Sequence, residues 1–209
     1  MVVKVEEVVS ISAEAEKVVA AKVADCSFCS GGSTIVLPQH HYKIMKIKYE
    51  TYNLKNGLKV LNIKQGTKNA FFLELSIKTG SINDPENQNG LAHFLEHILM
   101  EKASPQIEKL GGEIFASVDD ETSEFKAFFP SKKLDKAISI YKNIFFEFDF
   151  QNLNLPKTRK IIEEEISLSH DDPSEVLSVL AKTTRFEAKS PLGRQTIGSL
   201  KSIRNIEEK

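Results

Sequence analysis

Apolar and polar residues alternate with a period of two along three early stretches, the pattern of half-buried strands. Residues 48–52 form the first and 58–63 the second, and Asn56-Gly57 between them predicts a hairpin turn. In the third, residues 71–78, Phe71, Leu73, Leu75 and Ile77 share one face. Glu113–Val118 and residues 122–129 read as a further hairpin. Elsewhere the period is that of a helix. Residues 90–100 are the densest apolar run, introduced by Asn89-Gly90 after a polar loop, 81–89, that contains Pro85. Ser104-Pro105 is a cap and first-turn pair and predicts a separate short helix closed by Gly111-Gly112. Residues 131–148 are amphipathic, with Leu134, Ala137, Ile138, Tyr141, Ile144 and Phe145 on the core stripe. A helix opened by Pro156 carries Ile161, Ile162, Ile166 and Leu168 on its buried face, and Asp172-Pro173 ends it. Residues 174–189 predict another helix and 191–199 a loop. The set predicts an α+β fold, an antiparallel-rich sheet with helices packed on one face.

The first 45 residues follow another pattern and read as an appendage to a domain spanning 46–209. Valine alternates with charge and gives way to alanine, which predicts a helix over 12–24 with Ser12 as cap and Glu14 and Glu16 in its first turn. Cys26-Ser27-Phe28-Cys29-Ser30-Gly31-Gly32-Ser33 is a turn-rich linker. Cys-x-x-Cys is half of a redox or zinc motif, but the adjacent His40 and His41 do not complete zinc spacing. Loop cysteines without a metal are the expectation. An acidic helical leader before a small Cys/Ser/Gly-rich core is similar to precursors of ribosomally made, cysteine-modified peptides, which implies a leader- or substrate-like segment.

Composition narrows the class. Of 209 residues, 41% are hydrophobic and 27% charged, the balance of an ordinary soluble globular protein. A net charge of −1 gives no nucleic-acid footprint. No apolar run approaches the ~20 residues that span a bilayer. The amino terminus carries acids early and reads neither as a secretory signal nor as a transit peptide, so a cytoplasmic location is expected. Two cysteines make no disulfide framework.

The chemistry concentrates in residues 90–100. His93, Glu96 and His97 stand in the order H-x-x-E-H, the inverzincin pattern. On a helix the two imidazoles lie about 40° apart, with Glu96 beside them. Two such rings can share one zinc ion, and a neighbouring carboxylate can take a proton from the water it activates. A single histidine on an apolar helix is usually a packing or capping residue. Three polar groups on a stripe with Leu91, Phe94, Leu95, Ile98 and Leu99 need a common partner. A catalytic zinc needs a third protein ligand, and the run 160–168 offers Glu165 at the edge of its apolar face, with Glu163 and Glu164 pointing elsewhere.

Five groups of residues, in order, resemble the amino-terminal catalytic half of the M16 metallopeptidases, the family of pitrilysin, insulin-degrading enzyme and the mitochondrial processing peptidase. They are Asn89-Gly90-Leu91-Ala92-His93-Phe94-Leu95-Glu96-His97, Leu110-Gly111-Gly112-Glu113, Ile162-Glu163-Glu164-Glu165-Ile166, Asp171-Asp172-Pro173, and Pro191-Leu192-Gly193-Arg194 with Ile197-Gly198-Ser199. The resemblance implies His93, His97 and Glu165 as zinc ligands and Glu96 as general base in peptide-bond hydrolysis. It implies that the strand Glu113–Val118 lies at a sheet edge and pairs with substrate backbone, with Glu113, Phe115 and Ala116 as substrate-binding residues. It also implies a second M16-like half or subunit, in a heterodimer or homodimer, since nothing after Lys209 supplies one. The chain departs from the family in three places. Phe115 replaces the usual asparagine, Thr158 replaces an acid seven residues before the ligand, and Glu165 follows His97 by only 68 positions. A missing surface helical turn would explain the short spacing without disturbing the site; Phe115, Thr158 and the lack of a second half support an alternative, a noncatalytic subunit that binds peptide and presents it to an active partner. A further rival is a scaffold or precursor-binding module working through residues 1–45.

Overall fold

The computed structural model describes residues 49–63, 69–151 and 153–207. The expected helix over 12–24, the Cys26/Cys29 loop and His40-His41 lie outside them.

Two compact units divide the described chain. The first is a hairpin of β1 (Tyr49–Asn53) and β2 (Lys59–Ile63), paired antiparallel from Tyr49↔Ile63 to Asn53↔Lys59. Its turn is the expected one. Gly57 takes φ +90, open to glycine, and donates its N–H to Leu54 O at 3.0 Å.

The second unit holds the site. Among the described residues its sheet has the order β3 (Ala70–Ile77), β5 (Ser123–Pro130), β4 (Glu113–Val118), all antiparallel, with β4 at an edge. Alternation along β5 buries Phe125, Ala127 and Phe129 on one face. Two helices cover that face, α1 (Leu91–Glu108) against β4 and α2 (Leu134–Phe145) against β5. Aromatic packing fixes α2, with the Phe125 and Phe145 rings 4.4 Å apart. The buried Tyr141 hydroxyl donates to Phe125 O at 3.3 Å. Then follow α3 (Leu155–Asp171), α4 (Pro173–Arg185) and α5 (Leu200–Arg204). A separate core of Phe94, Ile98, Ile162, Ile166, Ile203 and Ile206 joins α1, α3 and α5. The α+β architecture expected from the pattern is the one present.

Several boundaries differ from expectation. Pro105 opens no helix of its own; it lies inside α1, which runs unbroken to Glu108. A proline there removes one backbone hydrogen bond at a cost of about 3 kcal/mol. Ala103 and Ile107, both fully buried on the face that already holds Ile98 and Leu99, offset it by carrying the apolar stripe through. The segment 131–148 is a 3-10 turn, Ser131–Lys133, followed by α2, and its stripe is narrower than expected. Ala137, Tyr141 and Ile144 are buried, whereas Leu134 and Ile138 face outward. Likewise Ile162 and Ile166 are buried on α3, but Ile161 and Leu168 are exposed. In each helix only the residues facing a neighbouring element are covered.

Candidate metal centre

The start of α1 positions the histidines, and it is built from a distance. Gly90, at the cap, has φ +93 and no side chain to receive the free N–H groups of the first turn. Asp84 does so instead, Oδ2 accepting from Gly90 N at 2.8 Å and Oδ1 from Ala92 N at 2.9 Å. Burial raises the Asp84 pKa, opposed by these N–H groups and by Arg194. The same loop is tied to the far end of the chain. Asn89 Nδ2 donates to Gln195 O at 2.7 Å, and Arg194 Nη2 to Asp84 O at 3.2 Å. The polar run 81–89, read from sequence only as a loop, therefore holds the clamp for the helix. Its one legible signal was a carboxylate shortly before Asn89-Gly90.

Glu165 arrives on α3, capped by the Asn154 side chain, which accepts from Lys157 N. Ile162 and Ile166 seat α3 against α1, and Lys157 Nζ bonds Glu101 Oε1 at 2.8 Å across the two helices. Glu165 is thereby turned to the histidines. Its Oε2 lies 3.2 Å from His97 Nε2 and 3.7 Å from His93 Nε2. Glu163 and Glu164 point elsewhere, to Arg204 at 2.8 Å and Lys160 at 3.9 Å.

His93, His97 and Glu165 each offer a donor atom, all within 4.8 Å of one another. Ligands held about 2.0–2.1 Å from a tetrahedral ion lie about 3.3 Å apart, so the separations to Glu165 suit one shared ion. The donor chemistry agrees. Burial, and next the neighbouring His97, push the His93 pKa down to about 4. The ring is neutral near pH 7, so its contact with Glu165 is no ion pair and one ring nitrogen keeps a lone pair with which to ligate an ion. The residues present fit a zinc ion. Glu96 Oε2 is 3.7 Å from His93 Nε2. Its pKa is raised by burial first, lowered by His97 and raised again by Glu165.

Two surrounding details depart from a fully supported zinc site, in which a ligating imidazole donates its other N–H to a partner. His93 Nδ1 is buried without a hydrogen-bond partner among the described residues. Thr158 is buried, and its hydroxyl donates to Asn154 O at 3.4 Å, within its own helix. Glu113, Phe115 and Ala116 lie on the edge strand β4, Glu113 and Phe115 on the open face and Ala116 toward the helices. They stand outside the three-residue cluster.

Residues 59–199 match the family model described as Insulinase, peptidase family M16. The chain belongs to that family. Among its relatives is an uncharacterized zinc protease of Rickettsia felis, 26% identical over 167 residues, covering 76% of this chain and 40% of the relative. Another is a probable mitochondrial-processing peptidase subunit beta of Arabidopsis thaliana, 23% identical over 179 residues, covering 82% of this chain and 34% of the relative. The chain thus spans well under half the length of these proteins. A crystal structure of a protease from Helicobacter pylori has a TM-score of 0.71 at 22% identity, covering 78% of this chain and 41% of that one. That of pitrilysin gives 0.67 at 19% identity, covering 77% and 18%. Similarity at this identity shows the fold. Among the described residues no helix is long and apolar enough to cross a membrane.

Proposed function

We propose that the chain carries the catalytic centre of a zinc-dependent endopeptidase acting on small or unfolded peptides. One observation carries the reading: donor atoms of His93, His97 and Glu165, brought from two helices, converge at spacings that suit one ion. Relatives named zinc proteases support zinc as that ion. Bound there, zinc would lower the pKa of a water toward ~7 and draw charge from a carbonyl oxygen. Glu96 takes the proton of the attacking water on its carboxylate and passes it to the nitrogen of the leaving amine. Its burial, which raises its pKa, suits holding that proton between the two transfers. The edge of β4, unpaired among the described residues, receives the peptide backbone as an added strand, with Glu113, Phe115 and Ala116 facing it. A second M16-like half, as heterodimer or homodimer, closes the site; relatives named as subunits of a processing peptidase support this.

Zinc analysis of the purified chain, with cleavage of a quenched fluorescent peptide before and after chelation, tests the reading. Glu96→Gln is expected to keep stoichiometric zinc and lose about 10²–10⁴-fold in rate. Zinc lost together with activity would make Glu96 a structural residue. The unpartnered His93 Nδ1 and the engaged Thr158 hydroxyl favour a second reading, a noncatalytic subunit that presents peptide to an active partner. A chain that binds peptide but takes up no zinc would establish it.

A further inference from the structure

The loops that set the start of the histidine helix converge on one carboxylate, Asp120, which no step of the proposed hydrolysis uses. Asp120 stands in the turn that joins β4 to β5, just past Val118. Its Oδ1 accepts from Ser81 Oγ at 3.2 Å and from Thr196 Oγ1 at 3.5 Å, and it pairs with Lys182 Nζ. The donors come from the 3-10 turn Ser81–Asn83, from the loop 191–199 and from α4. Backbone bonds draw the same turns together. Ser81 N–H donates to Asp119 O and Ile82 N–H to Asp120 O, both at 3.0 Å. The approach is so close that a Cβ on Gly80 would lie 2.5 Å from each of those carbonyl oxygens.

Each segment tied here leads on to the metal centre. Shortly after Ser81, Asp84 holds the first N–H groups of α1. Beside Thr196, Gln195 O accepts from Asn89, and Ile197 O crowds Gly90. In the other direction the turn is the end of β4, the strand that takes the peptide under the peptidase reading. No described residue of α4 is buried, and Lys182 is its polar tie to this turn.

The contacts differ in weight. The Asp120 side chain is 34% exposed, so its ion pair is partly screened and weak. Ser81 is 1% exposed. Without Asp120 its hydroxyl would keep only the long 3.4 Å contact to Thr196 Oγ1, and a buried hydroxyl short of an acceptor is costly. The hydroxyls therefore carry most of the holding and the ammonium the smaller share.

We propose that Asp120 is a positioning residue: it keeps the end of β4 in register with the loop that starts α1, and so fixes Glu113–Val118 relative to the histidines. It touches neither ion nor substrate. The proposal rests on the peptidase reading for its effect on rate, not for its effect on local rigidity.

The test uses the full-length zinc-loaded chain with Asp120→Ala, Asp120→Asn, Lys182→Met and, as a surface-pair control, Lys142→Met, whose partner is Glu147. The first arm is hydrogen exchange read by mass spectrometry. Asp120→Ala should speed exchange about tenfold at residues 90–94 and 113–118 and leave α2 as in the parent. Asp120→Asn keeps an oxygen for both hydroxyls and should stay within about threefold of the parent, as should Lys182→Met. Lys142→Met should match the parent. Where Asp120→Ala does not fold, Thr196→Val, an isosteric loss of one hydroxyl, takes its place, with exchange at 90–94 about threefold faster.

The second arm is cleavage of a quenched fluorescent peptide, expressed per bound zinc. Asp120→Ala should lose about tenfold in kcat with KM within about twofold, the mark of misplacement rather than of lost binding. Asp120→Asn should recover most of that loss. A residue that merely stabilised the fold would lower the zinc-loaded fraction and leave kcat per zinc unchanged, which overturns the proposal. So does exchange altered only at residues 118–123, exchange raised equally in α2, an Asp120→Asn variant no better than Asp120→Ala, or parent-like exchange in Thr196→Val. Faster exchange at both segments with no zinc-dependent cleavage by any form leaves the positioning standing and removes the peptidase reading. Zinc-dependent cleavage at parental kcat in every variant does the reverse.

Discussion

Gly90 and Gly198 meet backbone to backbone at the first turn of the histidine-bearing helix. A Cβ on Gly198 would run into Asn89 O and lie 3.0 Å from Gly90 Cα; one on Gly90 would lie 2.6 Å from Ile197 O. Both residues also have positive φ, +93 and +84, a region costly for residues with a side chain. Gly198→Ala therefore pushes on the helix start from outside. The expected cost is about 2–5 kcal/mol, read from urea unfolding, with weaker zinc uptake by the fraction still folded. A variant as stable as the parent would mean the two loops part freely.

Asp84 does from a loop what a cap residue ordinarily does from the helix itself. Asp84→Ala leaves the Gly90 and Ala92 N–H groups without their acceptor. About 1–2 kcal/mol of stability should go with it. Hydrogen exchange should show the first turn of α1 opening before the rest of the helix.

Ile162 sits fully buried between α1, α3 and α5. Ile162→Ala should cost about 2–5 kcal/mol in chemical denaturation. Leu168→Ala, six residues along the same helix but exposed, should change stability by less than about 0.5 kcal/mol.

The zinc-free protein should weaken in mild acid. His93 has a pKa near 4 when folded, below its ordinary value of 6.5. Between those values the unfolded chain binds more protons, so stability rises with pH. The contribution is complete above about 6.5 and is lost as pH falls from there through about 4. Thermal melts of chelated protein across this range should show the decline, and His93→Leu should flatten it. An undiminished decline in that variant would assign the proton to another group.

Zinc should stabilise what it binds. At 100 times its Kd it adds about 2.7 kcal/mol, a rise in Tm of about 5–10 °C for a chain of this size. Glu165→Ala should abolish most of that rise. Equal shifts in parent and variant would place the ion elsewhere.

The strands, both hairpins and the start of the histidine helix were legible because each depends on residues close together in the chain. Alternation along 71–78 and the Asn56-Gly57 turn are local facts. What pattern alone did not reveal depends on neighbours. Leu134, Ile138, Ile161 and Leu168 extend apolar stripes, yet no described element covers them well. Pro105 carries a local stop signal that Ala103 and Ile107 override through burial. At the site, the spacing of His93, Glu96 and His97 could be read directly. The clamp of Asp84, Asn89 and Gly198 could not, because its partners lie about a hundred positions apart.

That clamp sets an order on assembly. His93 and His97 leave the ribosome well before Gln195 and Gly198. Until the later loop arrives to wedge the helix start, the imidazoles are carried on a turn held only by Asp84 from the preceding loop, and the ion-binding geometry belongs to the finished domain rather than to the motif.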